Sequence, residues 1–443
     1  MSCWRRKKVL VAVMVLLSIP IIGMLLTTAP KSSRRAVATG QGVAAWLERY
    51  EFQTNRVRYE LTHPWRKALE KILPDWTKQK IGLLQPTFTD IVVPLFPGEA
   101  LLSVAVSMRP PMMGLRLIVA DEQGQEFDPA AHSNTGSDGY WVAEVPAFPR
   151  RGKELRLRVA SNTNILAEFR IPNPAPGPHP QWKAKPLPVS VQDGDLEASL
   201  VSFQAKSAGD QTFKAPGAYP RTECVFKFRE QGQETSVWTP VSFEVSDATG
   251  NHWNAWPNPE FAGITGTEVR SGFLGALWPG EGAWKLKVEF KRTANFPQSE
   301  LLHIEHLPAP GPEQLLEPRA QYQVNGAMIE VAAIIGKDVV WDRVYQLNPN
   351  RKRGCVTILL TGRILSQDRR LNFQEAQDEH GRTLKLASPL NEPGKLAGQG
   401  ADLLPYSLNF EVGNDTEELN VRVAVSQSRF LEFLAKPEQV SLR

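Results

Sequence analysis

Three stretches share one form: Leu155–Val159 (LRLRV), Trp284–Val288 (WKLKV) and Leu419–Val423 (LNVRV). Each places apolar residues at alternate positions, with Arg, Lys or Asn between them. That period of two belongs to a β-strand with one face buried and the other in water. Upstream of each lies an apolar segment ending in Asp-x-x-Gly: LRLIVADEQG, VSFEVSDATG and LNFQEAQDEHG. The turn pairs are Asp121/Gly124, Asp247/Gly250 and Asp378/Gly381. Asp at the first and Gly at the fourth position of a turn have a physical reason: the carboxylate accepts a turn amide and Gly tolerates positive φ. Another strand precedes each of these, starting at Leu101, Cys224 and Cys355. The order is kept three times, which predicts three copies of one β-rich domain in a chain of 443 residues, long enough for several cores.

The boundaries are marked by a repeated PAPGP, at Pro174–Pro178 and Pro308–Pro312. Proline-alternating segments favour extended spacers. Each PAPGP follows a short apolar segment, ILAEFRIPN or LLHIEHLP, and the C-terminus holds a matching one, FLEFLAKP. The expected division is sandwich 1 over 86–173, a linker over 174–186, sandwich 2 over 187–308, a linker over 309–316 and sandwich 3 over 317–443. The many prolines (35) suit short strands and turns rather than helix interiors.

LWPGEGAWKLKV, Leu277–Val288, resembles the L-x-P-G-x-x-Y-x-x-x-V corner of fibronectin type III and immunoglobulin-like sandwiches, with Trp284 where the family has Tyr. The resemblance implies a mostly β fold of three tandem immunoglobulin-like sandwiches, and no particular function. It places Leu277 and Trp284 inward, a turn at Pro279-Gly280, and Lys285 and Lys287 in solvent.

At the N-terminus, a basic tail (residues 1–8, with Arg5, Arg6, Lys7 and Lys8) precedes the uncharged run Val9–Ala29. At about 1.5 Å per residue that run is long enough to cross a bilayer as a helix. Lys31, Arg34 and Arg35 follow it. The charge bias puts the N-terminus in the cytoplasm and the bulk of the chain outside it, facing the periplasm if the cell is Gram-negative. A cleaved signal peptide is the alternative. Residues 30–85 read as a helical juxtamembrane segment. Val43, Trp46, Leu47 and Tyr50 follow helical spacing, as do Trp65, Ala68, Leu69, Ile72, Leu73 and Trp76.

Chemistry is scarce. There is no H-E-x-x-H, C-x-x-C, G-x-S-x-G, P-loop or dinucleotide fingerprint, so no enzyme, cofactor or metal is expected. His303 and His306, three apart on a strand, are expected on opposite faces. Cys224 and Cys355 occupy equivalent strands of different domains and are expected to be separate buried thiols. A net charge of +4 with interleaved signs gives no reason to expect nucleic acid. The one candidate ligand stretch is DATGNHWNAWPNPEF, Asp247–Phe261. There Trp253 and Trp256, with Asn251 and Asn254, have the ring faces and amides that sugar rings or peptides use. Packing both rings back onto the sandwich is the competing reading. The function expected is an anchored, extracytoplasmic binding or scaffold protein with an envelope protein partner. Alternatives are a carbohydrate-binding envelope protein and an enzyme whose groups meet only in three dimensions.

Overall fold

In the computed structural model the described residues are 36–38, 43–60, 89–94, 100–128 except 111 and 113, 132–135, 140–161, 164–206, 220–337 except 313, 355–362, 368–387 and 406–440. The expected membrane helix Val9–Ala29 and the helix over Trp65–Trp76 lie outside them. Among the described residues no helix is long and apolar enough to cross a membrane, and the regular structure is strands with two short 3-10 turns.

Among the described residues most strands form pairs of facing sheets around three main apolar cores, apart from a two-stranded sheet of Asn55–Glu60 with Thr89–Pro94 and a small fourth cluster of Ala333, Ile335 and Leu359. The first core, with Val104, Trp141, Leu157 and Phe169, lies between a five-stranded and a four-stranded sheet. The second, with Phe226, Trp284, Leu286 and Phe433, lies between a seven-stranded and a four-stranded sheet. The third, with Ile329, Ile358, Leu408 and Val423, lies between a six-stranded and a three-stranded sheet. The architecture is mostly β and consistent with the immunoglobulin-like expectation. The alternating strands behave as their pattern requires: Leu155, Leu157 and Val159 are buried, and so are Trp284, Leu286 and Val288, and Leu419, Val421 and Val423.

The three Asp-x-x-Gly segments are hairpin turns. Gly124, Gly250 and Gly381 have φ of 82°, 88° and 74°. Each donates its N–H to the carbonyl of its aspartate, at 3.1, 3.2 and 3.0 Å. The aspartate carboxylates accept the amides of Gln125 (2.8 Å), Thr249 (2.8 Å) and Arg382 (2.8 Å).

Residues 43–50 are not helical. Ala44–Gln53 is a strand paired antiparallel with Leu101–Arg109 in the first sandwich. Its register shifts between Leu47 and Arg49. A bulge adds one residue and moves the inward-facing set by one position. Val43, Ala45 and Leu47 therefore face the core before it, and Tyr50 and Phe52 after it. The three-residue step from Leu47 to Tyr50 imitates helical spacing. The first sandwich thus begins well before residue 86, inside what reads as a juxtamembrane segment.

The larger departure concerns the closing strands. In the first sandwich Glu154–Ser161 pairs with the strand that follows it, Asn164–Pro172. In the second, Trp284–Arg292 pairs with Arg429–Ala435 from the end of the chain. The strand that follows it, Leu301–Pro308, pairs instead with Glu418–Gln427 in the third sandwich. The expected boundaries at 308 and 317 therefore do not separate two cores: the strand at 301–308 belongs to the third, and Leu431, Phe433 and Ala435 belong to the second. Chain length supplies the reason. Only Ser428 stands between Glu418–Gln427 and Arg429–Ala435, whereas the tightest common hairpin needs two loop residues. The chain cannot reverse there, so it runs straight on into the neighbouring sandwich. The second expected linker is not a free spacer either, since Leu315-Leu316 pairs with Ile334-Ile335.

Candidate functional site

The stretch Asp247–Phe261 leaves the second sandwich's hairpin as the edge strand His252–Ala255 and ends in a 3-10 turn, Pro259–Phe261. Its four candidate residues separate. Asn251 is 0% exposed. Its amide donates to Phe148 O (3.0 Å), Asp247 Oδ2 (2.7 Å) and Thr249 Oγ1 (3.2 Å), and its Oδ1 accepts the Phe148 N–H (3.3 Å). Phe148 belongs to the first sandwich, so Asn251 pins two sandwiches together and is closed to a ligand. Trp253 is half-buried. It lies over Gly275, where an added Cβ would come within 2.2 Å of its Nε1, and donates that N–H to Leu274 O at 3.0 Å. Asn254 is partly exposed on the edge strand. Trp256, at 50% exposed, presents its ring to solvent, and the aliphatic side chains of Ile264 and Leu274 are exposed as well.

The joint that takes Asn251 is extensive. Burial pushes the Asp247 carboxyl up, and hydrogen bonds from Asn251 and Thr249 only partly offset this. Arg150 is buried across the joint. Its guanidinium lies 4.7 Å from the Phe52 ring centre and 5.0 Å from that of Phe148, and its Nη1 donates to Thr249 O at 3.3 Å. Burial lowers its pKa to about 10, with Asp247 acting in the opposite sense.

The LWPGEGAW turn belongs to the same joint. Leu277 and Trp284 are buried as expected, with Trp284 Nε1 donating to Trp278 O at 3.1 Å. Glu281 at the turn's tip is buried and takes a bidentate pair from Arg151 of the first sandwich, at 3.0 and 2.8 Å. Arg151 also donates to the carbonyls of His179 (3.2 Å) and Pro180 (2.7 Å), which holds the proline-rich linker against the joint. A Cβ on Gly280 would meet Trp278 Nε1 at 2.5 Å and Gln125 Oε1 of the first sandwich at 2.7 Å, so only Gly permits this approach.

A second joint links the second and third sandwiches. Arg370 Nε and Nη2 donate to the two oxygens of Glu289, both at 2.7 Å, with the side chains 5% and 3% exposed. Ser428 Oγ (2.7 Å) and Ser242 Oγ (3.0 Å) donate to the same carboxylate. Burial pushes this carboxyl up, but the bonds and charge of Arg370, with the two serines, outweigh burial and leave it below the usual carboxylate range.

Among the described residues, one group has side chains close enough to share a cation: Asp378, Glu379 and His380. Its oxygens already have partners. Asp378 accepts the amides of His380 and Arg382 and pairs with the Arg382 guanidinium, and Glu379 accepts the amides of Glu417 and Glu418. A guanidinium in place is the wrong neighbour for a metal ion. The open depression along Glu51–Thr54, about 480 Å³, offers one carboxylate, and Glu51 is taken by Arg49 (2.6 Å) and Gln53 (2.7 Å).

Neither Cys224 nor Cys355 is in a disulfide and both are buried, and burial, the larger cause, together with Glu223 raises the Cys224 pKa, which keeps it protonated. His303 and His306 do not lie on opposite faces. A bulge between Ile304 and Leu307 leaves His306 at φ 56° and both rings exposed.

No family model and no curated protein matches the chain. Among solved structures it is similar to the I-band fragment I67–I69 from titin and to a Glu-to-Ala variant of the same three-domain fragment. Each is 7% identical over 77% of this chain and 92% of that chain, with a TM-score of 0.10.

Proposed function

We propose that the chain is a membrane-anchored, extracytoplasmic arm that holds its sandwiches in fixed relation and presents them to a protein partner at the cell envelope. The observation that carries this reading is that both joints are buried and polar: Asn251 and Arg150–Arg151 at one, Glu289 and Arg370 at the other. Independent domains on flexible spacers would have no use for such contacts, because ordering them costs conformational entropy. The apolar run Val9–Ala29 supplies the anchor. The test is fractionation of cells making the full chain, with protease added from outside to spheroplasts whose cytoplasmic membrane is intact. The full chain is expected in the membrane pellet after alkaline extraction and to be cleaved by external protease. A chain lacking residues 9–29 is expected to leave the pellet. A full chain that stays in the soluble fraction, or is reached by protease only after the cytoplasmic membrane is broken, overturns the proposal.

Carbohydrate binding is the second reading, supported by the half-exposed Trp256 beside Asn254. It loses Asn251 and most of Trp253 to internal contacts, which leaves one free aromatic face. Unchanged glycan retention in Trp256→Ala would remove it.

A further inference from the structure

The second sandwich is closed by a strand that the chain reaches only after it has built the third. Residues 301–440 therefore behave as one unit beyond a single covalent connection, Thr293–Glu300, which is largely exposed and carries Asn295 at φ 54°. Within that unit Leu301–Pro308 is paired with Glu418–Gln427. Arg429–Ala435 is held in line by Ser428, whose N–H donates to Asp368 O at 2.7 Å.

All other contact between this unit and the second sandwich is non-covalent. Trp284–Phe290 pairs with Arg429–Ala435, and Leu431 and Phe433 enter the core. Glu438–Val440 runs parallel beside Gln204–Lys206. Arg370 and Ser428 meet Glu289, and Arg429 meets Asp193 and Asp195. A second copy of the chain offers the same groups in the same order, so it satisfies the same position with identical contacts. Whether closure occurs within one chain or between two is decided by the connection and by the concentration of chains.

We propose that the chain forms a reciprocal dimer in which residues 301–440 of each copy close the second sandwich of the other. Closure within one chain has an effective concentration of about millimolar for a short connection. The exchanged form therefore grows when chains refold together at high concentration, and grows further when the connection is too short to turn back.

Lys287 and Glu432 face each other across the strand pair and both are exposed, which gives a probe that leaves the core intact. Full-length chains in detergent, all carrying Cys3→Ser, would be used. One chain with both Lys287→Cys and Glu432→Cys is expected to form an internal disulfide, which reports the pairing itself. Chains with Lys287→Cys alone and Glu432→Cys alone, distinguishable by mass, would be unfolded, mixed, refolded at rising concentration and mildly oxidised. A mixed disulfide dimer is expected. Its yield should rise with concentration and exceed that of the non-facing pair Lys287→Cys and Glu305→Cys. Removing residues 294–298 is expected to raise the yield about tenfold at a given concentration, by removing the intrachain competitor. A mixed dimer no more abundant than the control pair at every concentration overturns the proposal, and so does failure of the internal disulfide. If the shortened chain does not fold, the natural-length pair decides.

Discussion

Arg370→Ala should be among the most damaging single changes away from an apolar core. Glu289 holds four hydrogen bonds, two of them from Arg370 at 2.7 Å. The variant leaves a carboxylate 3% exposed with only two serine hydroxyls. Breaking a buried pair from one side costs about 3–5 kcal/mol, and two charge-assisted bonds at about 1.5–3 kcal/mol each give an overlapping range of about 3–6 kcal/mol. For a unit of this size that lowers the melting temperature by roughly 6–20 °C. Thermal and urea denaturation followed by tryptophan fluorescence would measure it.

Replacing both partners, as Arg370→Met with Glu289→Leu, removes the stranded charge. It should recover most of the loss, because such pairs are often neutral when exchanged for apolar residues. The pH dependence provides a second check. In the unaltered chain the Glu289 pKa is lowered, so its contribution is complete above the unfolded value of about 4.3 and is lost as pH falls through the folded value. Without Arg370, burial, the largest cause, is opposed only by the hydroxyls of Ser428 and Ser242 and raises the pKa. The variant's deficit should then shrink on acidification, since protonation relieves the buried charge. A deficit under about 1 kcal/mol, or a double variant as weak as the single one, refutes the reasoning given for this joint.

Asn251→Ala should cost about 3 kcal/mol, because it leaves the Phe148 N–H and carbonyl and the Asp247 carboxylate short of partners. The loss should be larger at pH 7 than at pH 4, since the Asp247 pKa is already raised by burial and rises further without the amide. Urea denaturation at the two pH values would show it. Phe433→Ala should destabilise the second sandwich by about 3–5 kcal/mol, seen as early unfolding of Trp238 and Trp284. Ile304→Ala should loosen the third sandwich by about 2–5 kcal/mol; hydrogen exchange distinguishes the two, and the reverse pattern would contradict the strand exchange. The hydrogen bond and charge of Glu418 raise the His306 pKa, so Glu418→Gln should lower the titration midpoint of His306 in an NMR titration.

The candidate ligand stretch shows where local reading stops. Trp253, Trp256, Asn251 and Asn254 are indistinguishable by type and spacing. Asn251 is withdrawn because Phe148, distant in sequence, lies against it, and Trp253 because Gly275 leaves room for its ring. The joint residues Arg150, Arg151 and Glu289 gave no sequence signal, since a charge on a strand or loop reads as solvated until another domain covers it. One signal was available for the exchanged strands: a single residue, Ser428, between two alternating segments leaves no room for a hairpin.

The alternating apolar positions and the Asp-x-x-Gly turns fixed the strands, their buried faces and the three cores, because strand period and positive-φ turns are local properties of the chain. Which core each closing strand joins was decided by tertiary structure alone. An alternating strand requires some apolar face to cover, and three similar sandwiches offer three equivalent ones. The choice fell to the length of the connections and to the buried partners waiting at the joints.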